Sequence, residues 1–182
     1  MPESTNQNFN HLKIHSQYSI CEGAVKIDNL QDFSKSNKIK ALGLCDTSNL
    51  CGALEFAEKI SKVGTQPIIG TQINFKYDGC IGLLPLFALN EEGYKRIIKL
   101  SSTSFLENDE ISDPHIDFKE LLEDNTGVAV FSGSIFGFFG ELFNKGKFSE
   151  ILEFYKKLKS NFGDRFYLEI QRHGDQNELG FE

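Results

Sequence analysis

Residues 41 to 63 constrain the fold more tightly than any other stretch of this chain. Ala41-Leu-Gly-Leu-Cys45 is a short unbroken apolar run that ends at a polar turn, Asp46-Thr47-Ser48-Asn49. Beyond the turn, apolar residues recur at Leu50, Ala53, Leu54, Ala57, Ile60 and Val63. A run without polar alternation predicts a strand buried on both faces, and a spacing of three and four predicts a helix with one apolar face. Asn49 is placed to cap that helix. A buried strand feeding a helix that packs back on it is the unit of α/β folds, and it puts the polar turn at the strand's carboxyl end.

The alternation continues in both directions and predicts an α/β domain with a largely parallel sheet. His11 to His15 reads as a first strand. Asp28 is expected to cap a helix through Lys35, with Gln31 at the third position of a capping box and Leu30 and Phe33 on one face. Pro67 to Phe75 and Ile81 to Ala88 read as strands joined at Tyr77-Asp78-Gly79, and Asn90 as the cap of a helix carrying Tyr94, Ile97 and Ile98. Asn108 to Pro114 is a polar acidic loop. A short helix follows at Phe118 to Leu122, then a strand at Val128 to Phe131, helices at Phe138 to Asn144 and Phe148 to Phe162, and a last strand at Phe166 to Gln171. Residues 1–9 form a polar tail and residues 10–182 one domain. The Gln/Asn/Glu-rich end at Glu182 lacks a closing element, so the expectation is a fragment of a longer protein.

The 182 residues suit a single packed domain, with 40% hydrophobic and 25% charged residues. The longest apolar stretch, Ile81 to Leu89, is broken by Pro85 and too short to span a bilayer, and residues 1–9 lack the features of a secretory signal. The four cysteines, at 21, 45, 51 and 80, have neither CxxC spacing nor a dense framework, which predicts buried reduced thiols and a cytoplasmic address. A net charge of −7 argues against a primary grip on nucleic acid. The basic cluster Lys156-Lys157-Leu-Lys159 reads as a solvated helix face.

The chemistry-bearing residues gather where strands end. In His11-Leu-Lys-Ile-His15-Ser16-Gln-Tyr18-Ser19-Ile-Cys-Glu22-Gly23, alternate residues 11, 13 and 15 would share one side of a strand. An His-x-His pair with an acidic residue past the turn would suit a divalent ion, but Lys13 stands in the middle, and a protonated ammonium has no lone pair to offer. Asp46, Gln72, Ser134 and His173 lie at the other predicted strand ends and would face the same cleft as His15 and Glu22. The plainer reading makes Asp46 and Ser134 turn residues, His15 a core histidine and His173 a loop residue. His11 and His115 read as structural.

The order HLKIHSQYS, CEG, LGLCDTSNLCGALEF, QPIIGTQI, ALNEEGYKRIIKLSS and YLEIQRHG resembles the polymerase and histidinol phosphatase (PHP) domain, in the branch found at the amino terminus of bacterial replicative DNA polymerase III alpha subunits. The likeness extends over nearly all of residues 9 to 182. It implies a distorted (β/α)7 barrel of the PHP type, here incomplete at the C-terminus, whose carboxyl-end loops hold several metal ions in active members. Position by position, Lys13 stands for the first metal His and His15 matches the second. Glu22 replaces an Asp, Asp46 is retained, and Thr47 stands for a metal His. Gln72 stands for a ligating Glu, Leu83 for a His and Ser134 for a Cys. The last expected pair, Asp-x-His, would lie beyond residue 182.

Too few anionic and imidazole donors are left to offset the dehydration of a multinuclear centre. The resemblance therefore implies a vestigial pocket with no catalytic residue, no bound metal and no cofactor, in which Lys13 pairs with Glu22 or Asp46 in place of the ion. It implies a scaffold and docking module that contacts the rest of the polymerase subunit and a proofreading exonuclease, with DNA only indirectly. Template-directed synthesis with Mg2+ would belong to the rest of the subunit. The alternative is an active metal-dependent phosphoesterase or 3′–5′ exonuclease, with a stand-alone phosphatase for a small phosphate ester as a third reading.

Overall fold

The computed structural model describes residues 9–108, 113–174, 176 and 178–181. The elements run α1 (Ile27–Asn37), β1 (Ala41–Thr47), α2 (Ala53–Lys62), β2 (Gln66–Tyr77), β3 (Cys80–Ala88), α3 (Glu91–Leu106), β4 (His115–Asp117), α4 (Phe118–Glu123), β5 (Val128–Phe131), α5 (Phe138–Asn144), α6 (Phe148–Phe162), β6 (Phe166–Tyr167) and α7 (Glu178–Phe181). They form a mixed α/β fold. The sheet runs β1-β2-β3-β5-β6, and β4 pairs with the far end of β2.

The expected largely parallel sheet is corrected to a mixed one: β3 is antiparallel to both β2 and β5, whereas β1–β2, β2–β4 and β5–β6 are parallel. The cause is local. Asp78 and Gly79 both have positive φ, at 49° and 70°, and Tyr77 pairs directly with Cys80. That is a two-residue turn of the kind Asp-Gly favours, and it can only reverse the chain.

The core is aromatic. Phe154 of α6 is fully buried, stacks on Phe138 at 4.3 Å between centroids and meets Phe118 at 4.6 Å and Tyr77 at 5.2 Å. A second cluster, Ile27, Leu30, Leu42, Leu44, Phe56 and Ile60, seals α1 and α2 over β1. Leu54, expected on the apolar face of α2, is instead 71% exposed, and Phe56 fills that face.

Three boundaries differ from expectation. α1 begins at Ile27 with no side-chain cap: Asp28 lies inside the first turn and pairs with Lys59, while Gln31 Nε2 donates to the Lys59 carbonyl. Asn49 caps a turn, accepting from the Cys51 amide, one turn ahead of α2. β6 covers only Phe166–Tyr167, because its partner β5 ends at Phe131, and side-chain bonding then takes over as the Glu169 amide donates to Ser132 Oγ at 2.9 Å. β4 is an addition to the expected elements, and part of the acidic loop before it, 109–112, lies outside the described residues, as does most of the tail. Asn90 caps α3 as expected, accepting from the Gly93 amide.

Candidate functional site

The first segment, 11–15, lies beside β1 but is not a ladder strand, which corrects the expectation for His11 to His15. Gly43 N–H donates to the His11 carbonyl at 2.7 Å and Cys45 N–H to the Ile14 carbonyl at 2.8 Å. Three residues on one side span two on the other, so the register breaks as in a bulge and the simple alternation of 11, 13 and 15 is lost. The approach is close enough to require glycine: a Cβ on Gly43 would overlap the Leu12 carbonyl oxygen.

Asp46, at the end of β1, is 1% exposed. Its carboxylate accepts from the Ser16 amide at 2.6 Å, Ser16 Oγ at 2.8 Å and Ser19 Oγ at 2.6 Å, and its backbone carbonyl accepts from Thr71 Oγ1. Asp46 is thus the clasp that holds the 16–19 turn to the sheet. Next to it Thr47 continues the polar chain: Gln72 Nε2 donates to Thr47 Oγ1 at 2.7 Å, and that hydroxyl donates to Glu22. An amide, a hydroxyl and a carboxylate thus form one hydrogen-bonded chain.

His15 Nδ1 lies 3.9 Å from Glu22 Oε2, beyond hydrogen-bond reach, and finds no hydrogen-bond partner among the described residues. Burial, followed by the Lys13 charge, pushes its pKa below the usual histidine value and favours the neutral ring. Burial likewise pushes the neighbouring Cys45 thiol far up, so it is no nucleophile. All four cysteines are free, but only Cys45 and Cys80 are buried, so the expected burial fails for Cys21 and Cys51.

Lys13 does not pair with Glu22 or Asp46 as expected. Its ammonium sits 3.2 Å from Glu169 Oε1, with the two side chains 16% and 10% exposed. Gln171 Nε2 donates to the same carboxylate oxygen. These two donors fix Glu169 where it faces the first segment.

Glu169 is the residue that sequence reasoning misses. Its one signal is a lone acidic residue inside the otherwise apolar run Phe166-Tyr-Leu-Glu-Ile170. Lys13, Gln72, Leu83 and Ser134 do come together, lining with Pro85, Gly133, Phe136 and Gly137 a cavity of about 30 Å³. That is room for a water or two, far below the several hundred Å³ of an ordinary ligand pocket. Ser134 Oγ accepts from the Phe136 amide and serves the turn. His173 is exposed, and its backbone amide donates to the Glu178 carboxylate at 2.9 Å. His11 packs edge-on against Phe9 and Phe33, and His115 meets Asn108, in keeping with structural roles.

The donor set does not fit the metal centre that the fold family implies. Asp46 already accepts three hydrogen bonds, Gln72 donates to Thr47 and Thr47 to Glu22, Leu83 has no donor atom, and Lys13 brings its own positive charge. Among the described residues no three His, Cys, Asp or Glu side chains are grouped to hold an ion.

The fold and these residues define a class, and comparison with known proteins gives it a name. The family model of the PHP domain matches residues 11–173, and the chain belongs to that family. Its relatives narrow the class further. It is 40% identical to the DNA polymerase III subunit alpha of Rickettsia felis over 166 residues, which is 91% of this chain and 14% of the relative. The corresponding subunit of Caulobacter vibrioides is 36% identical over 182 residues, 96% of this chain and 16% of the relative, and that of Borreliella burgdorferi 34% identical over 181 residues. The chain thus spans about a seventh to a sixth of the length of the curated relatives it matches. A solved structure from Bifidobacterium adolescentis, described as a metal-dependent phosphoesterase, aligns with a TM-score of 0.43 at 15% identity over 52% of this chain and 32% of that one.

Proposed function

We propose that this chain is the amino-terminal PHP domain of a replicative DNA polymerase III alpha subunit, and that it works as a metal-free scaffold and docking module. The observation that carries the second half is the Gln72–Thr47–Glu22 chain of hydrogen bonds, which fills with mutual contacts the space where ligands would otherwise aim at an ion. The barrel reading has geometric support. Segment 11–15, β1, β2, β3, β5 and β6 lie side by side, so in a flat sheet the outer two would be roughly 24 Å apart. Lys13 and Glu169 nevertheless meet at 3.2 Å, as expected if the sheet curls toward closure.

On this reading polymerisation with Mg2+ resides in the remainder of the subunit, the partners are that remainder and a proofreading exonuclease, and the location is cytoplasmic. No described helix is long and apolar enough to cross a membrane. Two measurements test the proposal. Immobilised chain is expected to retain the proofreading exonuclease, and purified chain with Mn2+ is expected to leave a phosphodiester substrate intact. Mn2+-dependent hydrolysis abolished by Glu22→Gln would refute the metal-free reading, and loss of exonuclease binding would refute docking.

A further inference from the structure

Leu168 and Ile170 are 67% and 68% exposed, although they lie on the side of the sheet where α5 and α6 pack. Phe166, two residues earlier, marks that side: it is buried, with Phe139 and Tyr155 at 6.4 and 5.7 Å between ring centroids. Alternation along an extended segment returns Leu168 and Ile170 to the same side, while Glu169 between them turns to Lys13. With Phe143 of α5, and with Phe148 and Leu152 of α6, themselves 62% and 54% exposed, they line an apolar groove of about 400 Å³. We infer that this groove seats a helix that continues α7, formed by the stretch of the polymerase subunit immediately after residue 182. The inference rests on the reading of this chain as the amino-terminal domain of a longer subunit.

Three observations single out that occupant. The chain already enters the groove: Phe181 lines it and meets Phe143 edge-on at 5.6 Å, and the Glu178 carboxylate accepts from the His173 and Gly174 amides at 2.9 and 3.0 Å, which fixes where α7 starts. Its four residues make a single turn, whose few hydrogen bonds do not offset the ordering of the backbone, so a longer packed helix is what would make it stable. The order of elements points the same way. β1, β3, β4 and β5 are each followed directly by a helix, and a helix that follows a strand packs back on the sheet. β6 is followed by α7, and the groove lies beside the chain that leaves β6. Finally, the matched region is only 14% and 16% of the length of two relatives, so on this reading a long stretch of chain follows α7. Apolar residues three, four and seven positions beyond Phe181 would give that stretch the one-sided face the groove requires.

The test uses the full-length subunit with the photoreactive residue p-benzoylphenylalanine in place of Leu152 or, in a second variant, of Leu168. Both positions are exposed, so the bulky ring is accommodated without repacking the core. After irradiation, mass spectrometry of tryptic peptides identifies what each position touches. Both variants are expected to crosslink within about 15 residues after position 182, the length of an ordinary helix. Amide exchange in that stretch of the unaltered subunit is expected to be at least about tenfold slower than in an unstructured chain. Crosslinks only to a more distant part of the subunit, to a second copy or to added exonuclease overturn the inference, as do no crosslinks from either variant or exchange at the unstructured rate. A gene whose product ends close to residue 182 is a different result: it refutes the longer-subunit reading, and the inference with it.

Discussion

Replacing Asp46 by Ala should be among the most damaging single changes at the site. The carboxylate receives three hydrogen bonds, from the Ser16 amide, Ser16 Oγ and Ser19 Oγ, at 2.6 to 2.8 Å, and is 1% exposed. A hydrogen bond to a charged acceptor contributes roughly 1.5 to 3 kcal/mol, so three would total about 4.5 kcal/mol or more if independent. They are not independent, because they share one carboxylate and the hydroxyls can turn toward water once it is gone. A net loss of about 3 to 4 kcal/mol is therefore expected. Asp46→Asn retains one oxygen acceptor and should cost about half as much. Equilibrium urea unfolding followed by circular dichroism measures both, with the slope of the transition checked for constancy. A loss under about 1 kcal/mol for Asp46→Ala would show that the 16–19 turn is held by something else, and the clasp assigned to Asp46 would be wrong.

Two further outcomes follow from the geometry. The native His15 ring has its pKa lowered, so the unfolded chain takes up the proton first as pH falls; the stability contributed by the neutral ring is present above about pH 6.5 and is lost as pH falls through that value toward the lower native pKa. His15→Gln should flatten the stability profile in that window, and an unchanged slope would place the titration elsewhere. Gly43→Ala puts a Cβ against the Leu12 carbonyl and should cost about 1 to 3 kcal/mol. Faster hydrogen exchange at the Cys45 amide, whose bond to Ile14 would be strained first, is the accompanying signature.

Local signals carry the elements, and distant partners decide the site. The bounds of α5 and α6 are readable because their apolar spacing and their flanking polar residues agree. The Asp78-Gly79 turn is readable too and by itself makes β3 antiparallel to β2; what it does not report is that β3 also runs antiparallel to β5. The 11–15 segment misleads because its pattern is that of a strand, while the extra residue opposite Gly43 and Cys45 depends on a neighbour no local pattern reports. The same holds for Lys13. Both nearby carboxylates are reasonable partners by sequence, but Asp46 is already occupied by serines, and Glu169 is brought to Lys13 only by the tertiary fold. Chemical types along the chain single out candidate residues; which of them touch is set by the tertiary fold.

The span of that ion pair has a consequence for the chain during its synthesis. Lys13 leaves the ribosome 156 residues ahead of Glu169, an interval of about 8 to 30 s at typical rates of elongation. Throughout that time the first segment holds to β1 without the ion pair, through its two backbone bonds and the Asp46 clasp on the turn that follows it, so the link to Glu169 is the last of its fastenings to form.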